Sequence, residues 1–496
     1  CHDGLVDASG QDVAIVDDWQ PSMMAGSSRD PFWRAKVASE IRRNPNLRAE
    51  IESTCSRCHM PMAHVEAEFA AADITVLDNG LLHPDNALFD AAAEGVSCTL
   101  CHQIADTPEL GSEDGFSGGF EIPYSFGVDR LALGQYADPL TMPMRNQVAF
   151  TPAYSPHISA SKVCASCHNL STAVLDAEGN ITGEYFPEQA VYTEWEHSDF
   201  AVSQSCADCH MPLANGDVTI STRPPNGLAS RPDFARHSFA GANTYMLEMF
   251  AANQAELSLA AADFNKASNE TRGFLGGAAT VELEDIARVD DELRFTVRLR
   301  NHSGHKFPTS YPSRRAWLHV SVTDAMGALV FESGAVSPAG RIEGLASDAD
   351  PGTVEPHFEV INRGDQVQSY ETIMEDVSGS ITYTLLEAST YRKDNRLLPL
   401  GFDKASVPAT IRPRGQALAD PNFAGGGDDV RYEVQGLPPG TYAIQVNLNY
   451  QVLAYSFLQD LARDSDSPHV SLFLDLNDTV AARYETIAGA SGSIDF

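Results

Sequence analysis

The 496-residue chain has only 9 cysteines, and eight of them fall in four copies of one pentapeptide, which leaves a single spare thiol, Cys1. That excludes a disulfide framework within the chain. Basic residues are scarce as well: 33 Lys and Arg stand against 68 Asp and Glu, a formal charge of −35. A field of that sign repels nucleic acid and anionic lipid heads, and it suits basic partner proteins or a salty medium. A generally solvated acidic surface would carry the same charge, so the number names no partner. No run of 18 or more apolar residues occurs, which excludes a membrane-spanning helix. Regular periodicity is thin in the first half, which is broken by Pro- and Gly-rich stretches at 111–119, 139–143, 151–156 and 223–232.

What is present is Cys-x-x-Cys-His, four times: Cys55 to His59, Cys98 to His102, Cys164 to His168 and Cys206 to His210. In this motif two thiols (Cys55 and Cys58, Cys98 and Cys101, Cys164 and Cys167, Cys206 and Cys209) add to the vinyl groups of a haem. The adjacent histidine (His59, His102, His168, His210) becomes the proximal iron ligand. From 9 Cys and 15 His in 496 residues, chance supplies about 0.005 such motifs per chain, so four mark covalent chemistry. Zinc sites use C-x-x-C pairs, but nothing in zinc coordination requires a His after each second Cys. A thioredoxin-type pair would occur once, beside a βαβ pattern. Four covalently bound haems c are the expected cofactors.

Haem attachment to thiols takes place outside the bacterial cytoplasm, so an extracytoplasmic protein is expected, in the periplasm or at the cell surface. No signal peptide is visible, and the chain reads as a mature form opening on Cys1. That cysteine is expected to carry a lipid anchor, the chain's one link to a membrane. The other reading takes Cys1-His2 as the remnant of a fifth, truncated haem motif.

All four motifs lie between residues 55 and 210, so residues 1–272 are expected to form one haem-packed domain of short helices and long loops, with porphyrins replacing side chains as its core. Helices are predicted at 31–44, 47–58, 160–168 and 243–261, the last with Tyr245, Met246, Met249 and Phe250 on one face, read as core. From about residue 275 the pattern turns to period two, with Leu293, Phe295, Val297 and Leu299 alternating. Strands are predicted at 291–300, 316–323, 329–332, 358–361, 381–386, 430–434 and 442–448, and a flexible loop at 425–429. The expected fold is therefore mixed, with residues 273–496 forming an all-β, immunoglobulin-like sandwich.

Several segments carry a resemblance: Asp18-Trp19 to Met24, Arg29-Asp30-Pro31-Phe32-Trp33, Cys58-His59-Met60-Pro61-Met62-Ala63, Gly95-Val96-Ser97-Cys98 and Cys209-His210-Met211-Pro212. To these are added Asn301-His302-Ser303-Gly304-His305-Lys306-Phe307-Pro308-Thr309 and Arg314-Arg315-Ala316-Trp317. Together they resemble bacterial multihaem cytochromes c, in part the tetrahaem cytochromes of nitrifiers, with their C-terminal module. The resemblance implies His305 and His237 as sixth ligands of haem irons, although a polar turn histidine would read the same. His157, seven residues before Cys164, and His64, five after His59, complete the expected set, with His83 and His197 in reserve. Were His305 a ligand, Lys306, Arg314 and Arg315 would lie near haem propionates.

The expected function is electron transfer through four closely packed, bis-His haems between redox partner proteins, alone or within a larger complex or filament. An electron carrier is favoured over an enzyme. The alternative is a haem reductase or oxidase of small nitrogen or sulfur species, which needs one five-coordinate iron.

Overall fold

Asp30 opens the helix Pro31–Arg43: its carboxylate accepts from the backbone N–H groups of Phe32 and Trp33, and Pro31 sits where no N–H is needed. The computed structural model describes residues 2–495 and divides them into two units. The first comprises residues 2–170, 204–271 and 465–480, and the second comprises 171–203, 272–464 and 481–495. A single cut after residue 272 was expected. Residues 171–203 instead belong with the second unit and 465–480 with the first.

The first unit is built of short helices, among them Pro31–Arg43, Arg48–His59, Pro61–Phe69, Ser161–His168, Thr244–Ala252 and Pro468–Asn477. The helix Pro468–Asn477, which has no strong periodic signal, packs on Pro31–Arg43, with Phe32 and Phe473 ring centroids 5.3 Å apart. Tyr245 donates to the Asn477 side chain at 2.6 Å from the helix Thr244–Ala252. That helix was expected to reach residue 261. It stops at Ala252 because Asn253 turns its own amide back onto the Met249 carbonyl at 2.9 Å. Its apolar stripe is core, as read from the sequence: Tyr245, Met246, Met249 and Phe250 are all buried.

The second unit holds two large sheets. One has seven strands: Thr441–Gln451 lies between Arg315–Asp324 and Glu485–Asp495, Ser369–Glu375 pairs with Arg315–Asp324, and three shorter strands flank these. The other runs Ala279–Val289, Glu292–Asn301, Gly427–Val434 and Val360–Ile361. Leu293, Phe295, Val297 and Leu299 are buried, as their alternation predicts, and Phe331 of the seven-stranded sheet meets Tyr432 of the other at 6.2 Å. The fold is mixed, with its large sheets in the C-terminal part.

Residues 427–429, expected in a flexible loop, begin the strand Gly427–Val434. Gly427 pairs with Arg300 so closely that a Cβ there would collide with the Leu299 carbonyl, so the glycine run serves close approach rather than mobility. The predicted strand 381–386 shrinks to Ile381–Thr382, because the Thr382 hydroxyl accepts from the Thr384 N–H and turns the chain.

Candidate haem-attachment site

Each motif occupies or closes a short helix: Arg48–His59, Cys98–Cys101, Ser161–His168 and Cys206–His210. Helical spacing puts the two thiols, three residues apart, on one face, with the histidine beside the second. The last helix begins with a reciprocal cap in which Ser205 accepts from the Asp208 N–H and the Asp208 carboxylate accepts from the Ser205 N–H.

The fold brings the motifs together. The Cys58 thiol of the first is hydrogen-bonded to Cys167 of the third, and Cys164 of the third to Cys206 of the fourth. Cys101 of the second lies within electrostatic reach of both Cys164 and Cys167. Cys101 and Cys167 also border one apolar cluster, formed by Val65, Val96, Leu100, Ile104, Leu110, Phe120 and Val163.

Three of the motif histidines are oriented by main-chain carbonyls. His59 donates Nδ1–H to the Ser27 carbonyl at 3.2 Å, His102 to Leu133 at 2.5 Å and His210 to Ala240 at 2.6 Å. A carbonyl only accepts, so in each ring Nδ1 carries the proton and the Nε2 lone pair is the one that can reach iron. Burial pushes His59 down to about 4 and lowers His102 and His210, which keeps the imidazoles neutral, as a metal requires. Trp33 stacks on the His59 ring at 4.5 Å and 8° and fixes its plane, while the Ser27 hydroxyl donates to the His59 carbonyl at 2.8 Å. The lead into the second motif rests on the same segment: Val96 N–H donates to the Met24 carbonyl and Trp19 Nε1–H to the Val96 carbonyl. Gly95, at φ +63°, is required there, since a Cβ would stand 2.6 Å from the Ala25 carbonyl oxygen.

The expected sixth ligands fare differently. His237 donates Nδ1–H to the Ala235 carbonyl at 3.1 Å, and its ring lies 6.4 Å from that of His102, centroid to centroid, at 23°. Burial first, and His102 second, push His237 down to about 4. The preceding Arg236 is anchored by a hydrogen-bonded ion pair with buried Asp18, Nε to Oδ2 at 3.0 Å, which fixes the segment that carries His237. His64 is buried: its Nδ1 meets the Ser56 hydroxyl at 2.8 Å, and its Nε2 has no hydrogen bond among the described residues and lies 3.2 Å from the Glu68 carboxylate. His157 has both nitrogens engaged, Nδ1 with the Ser155 hydroxyl at 2.6 Å and Nε2 with the Ile104 carbonyl at 2.8 Å. His305 lies in the second unit, its Nδ1 bonded to the Lys306 carbonyl at 2.9 Å. Cys1 lies outside the described residues.

Lys306 and Arg315, expected beside propionates, are buried instead. Lys306 pairs with Asp394 at 2.7 Å, a carboxylate that Arg396 also holds, and Arg315 pairs with Asp348 at 2.7 Å, so each buried cation has a carboxylate partner. Arg314 donates to the Thr309 carbonyl.

In the second unit His357, Asp420 and Asp428 bring ligand-type atoms within 4.8 Å of one another, all buried. Their hydrogen bonds fix a tautomer. The Gln368 and Asn395 amides both donate to His357 Nδ1, and neither can flip, because their oxygens accept from the N–H groups of Phe358 and Glu371. Nδ1 is therefore an acceptor, and Nε2 carries the proton toward Asp420 Oδ2 at 3.1 Å. A ring so fixed is not a metal ligand.

The motif cysteines and histidines were legible from the sequence. The carbonyls of Ser27, Leu133 and Ala240 that orient them were not, because a backbone acceptor leaves no mark on residue identity.

No known family profile matches the chain, and no curated protein matches it. Among solved structures, the chain is similar to a penta-haem cytochrome c552 from Thermochromatium tepidum, with a TM-score of 0.53 and 17% identity over 97% of this chain and 96% of that one. The chain has a multihaem cytochrome c-like fold.

Proposed function

We propose that this protein is a multihaem c-type cytochrome that passes electrons between extracytoplasmic redox partners through covalently bound haems c. Four haems are assigned to the complete motifs, and the structural neighbour carries five by its description. The observation that carries the reading is the contact between attachment cysteines of different motifs, Cys58 with Cys167 and Cys164 with Cys206. Thioether sulfurs sit at porphyrin edges, so haems hung on touching sulfurs have their edges in close approach, and that spacing favours electron hopping.

Bis-His ligation has its own support at the second motif. An imidazole nitrogen binds a metal at roughly 2 Å and the ring centre lies about 1 Å behind it, so rings on opposite sides of one iron have centroids about 6 Å apart. His102 and His237, at 6.4 Å and nearly parallel, match that separation, each with Nδ1 tied to a carbonyl. A low-spin iron held on both sides exchanges electrons with little rearrangement. The haem supplies the redox chemistry, and the chain supplies ligand basicity, burial and spacing. Basic redox proteins or further copies of the chain are the partners we assign, with an immunoglobulin-like form for the sheets of the second unit.

The test is the optical and EPR spectrum of the oxidised protein with and without cyanide or nitric oxide. Low-spin signals from every haem and no response to added ligand are expected. A high-spin haem that binds either ligand would overturn the carrier reading in favour of an enzyme.

A further inference from the structure

We propose that His2 is an axial ligand of a haem iron, an assignment that rests on the multihaem reading above. His2 lies at the amino end of the first unit. Leu5, Val13 and Ala14 pack with Val218 and Phe234 in one apolar cluster. This holds the His2 ring against the segment that follows the fourth motif, and its Nδ1 meets the Ile220 carbonyl at 2.7 Å. Since the carbonyl only accepts, the proton sits on Nδ1 and the Nε2 lone pair points elsewhere. Nε2 has no hydrogen bond among the described residues.

The same arrangement recurs in the motif histidines His59, His102 and His210 and in His237, each giving Nδ1–H to a main-chain carbonyl. It is the arrangement by which proteins orient a histidine toward a metal. His197 and His305 also turn Nδ1 to a carbonyl, whereas His157 and His357 have both nitrogens engaged and His302 and His319 turn Nε2 to a side chain. His2 is also within electrostatic reach of both His102 and His237, which places it in the iron-ligand cluster rather than on a remote surface. In the sequence it directly follows a cysteine, the order of the last two residues of the attachment motif.

Two sources would present the same iron: a fifth haem attached beside His2, or one of the four haems accepting His2 as its sixth ligand. The experiment separates them. In the full-length, haem-loaded protein, His2→Ala is compared with wild type by haem-to-protein ratio and by low-spin and high-spin EPR intensity. A ratio lower by one haem assigns His2 to its own haem. An unchanged ratio with one haem turned high-spin and open to cyanide assigns it as sixth ligand to another. His2→Met, which keeps a ligand atom, should retain low-spin iron and raise the potential of one haem; it is read if His2→Ala yields no holoprotein. Ratio, spin state and potentials all equal to wild type would overturn the assignment. A wild-type protein without haem would instead overturn the reading on which it rests.

Discussion

Asp428 offers a test of the second unit in which magnitude and sign both follow from the structure. Its side chain is fully buried, Oδ2 accepts from the Tyr370 hydroxyl at 2.7 Å, and Oδ1 has no hydrogen-bond partner among the described residues. Burial pushes its carboxyl from 3.8 up to about 6, against the pull of His357 and Tyr370. A raised carboxyl favours the protonated form in the folded state. Its contribution is complete below pH 3.8 and is lost as pH rises through 6. Two units at 1.36 kcal/mol each make the cost of folding with this group about 3 kcal/mol at pH 8. Asp428→Asn removes the charge but keeps an oxygen to accept from Tyr370. It should match wild type near pH 4 and be more stable at pH 8, by up to about 3 kcal/mol, or on the order of 6–12 °C in Tm for a unit of this size. Thermal melts of both proteins at several pH values, followed by circular dichroism, read the difference while other titrating groups cancel. A pH-independent difference would refute the argument. So would an Asn variant less stable at pH 8 together with a wild type destabilised by a chelator, because both would mean that a cation neutralises Asp428 and Asp420.

At the haem-attachment site, His237→Met should raise the reduction potential of one haem and leave the others near their wild-type values, as a thioether ligand does. A spectroelectrochemical titration with every potential unchanged would dissociate His237 from His102. Gly95→Ala forces a side chain into a left-handed backbone and against the Ala25 carbonyl, and the conformation alone costs about 1–2 kcal/mol. Lower thermal stability and less haem at the second motif are expected, measured by melting and by haem content, and a variant equal to wild type would show that the close packing of residues 24–27 on 95–98 is dispensable.

How far the sequence could be read depended on the range of the interaction. Period-two alternation located Glu292–Asn301 to within a residue or so, because a strand with one buried face repeats that requirement at every second position. The strand Glu485–Asp495 escaped notice. It is made largely of Ala, Gly and Ser, and its small residues answer to Asn447, Leu283 and Ile286 across the fold, not to a local pattern. The run 425–429 misled for the same reason, since glycine marks both a mobile loop and a close approach, and only the Leu299 carbonyl distinguishes them.

By itself the sequence determined the attachment chemistry, because two thiols and a histidine at fixed spacing react within one turn of chain, and that proximity is written in order alone. It also determined the acidic charge and the change from helical to β-patterned chain. The tertiary structure decided what lies across space. It paired His102 with His237, separated by 135 positions, engaged both nitrogens of His157, and brought cysteines of three motifs into contact. These are choices among chemically identical side chains, and only the positions of the carbonyls and neighbours around each ring tell them apart.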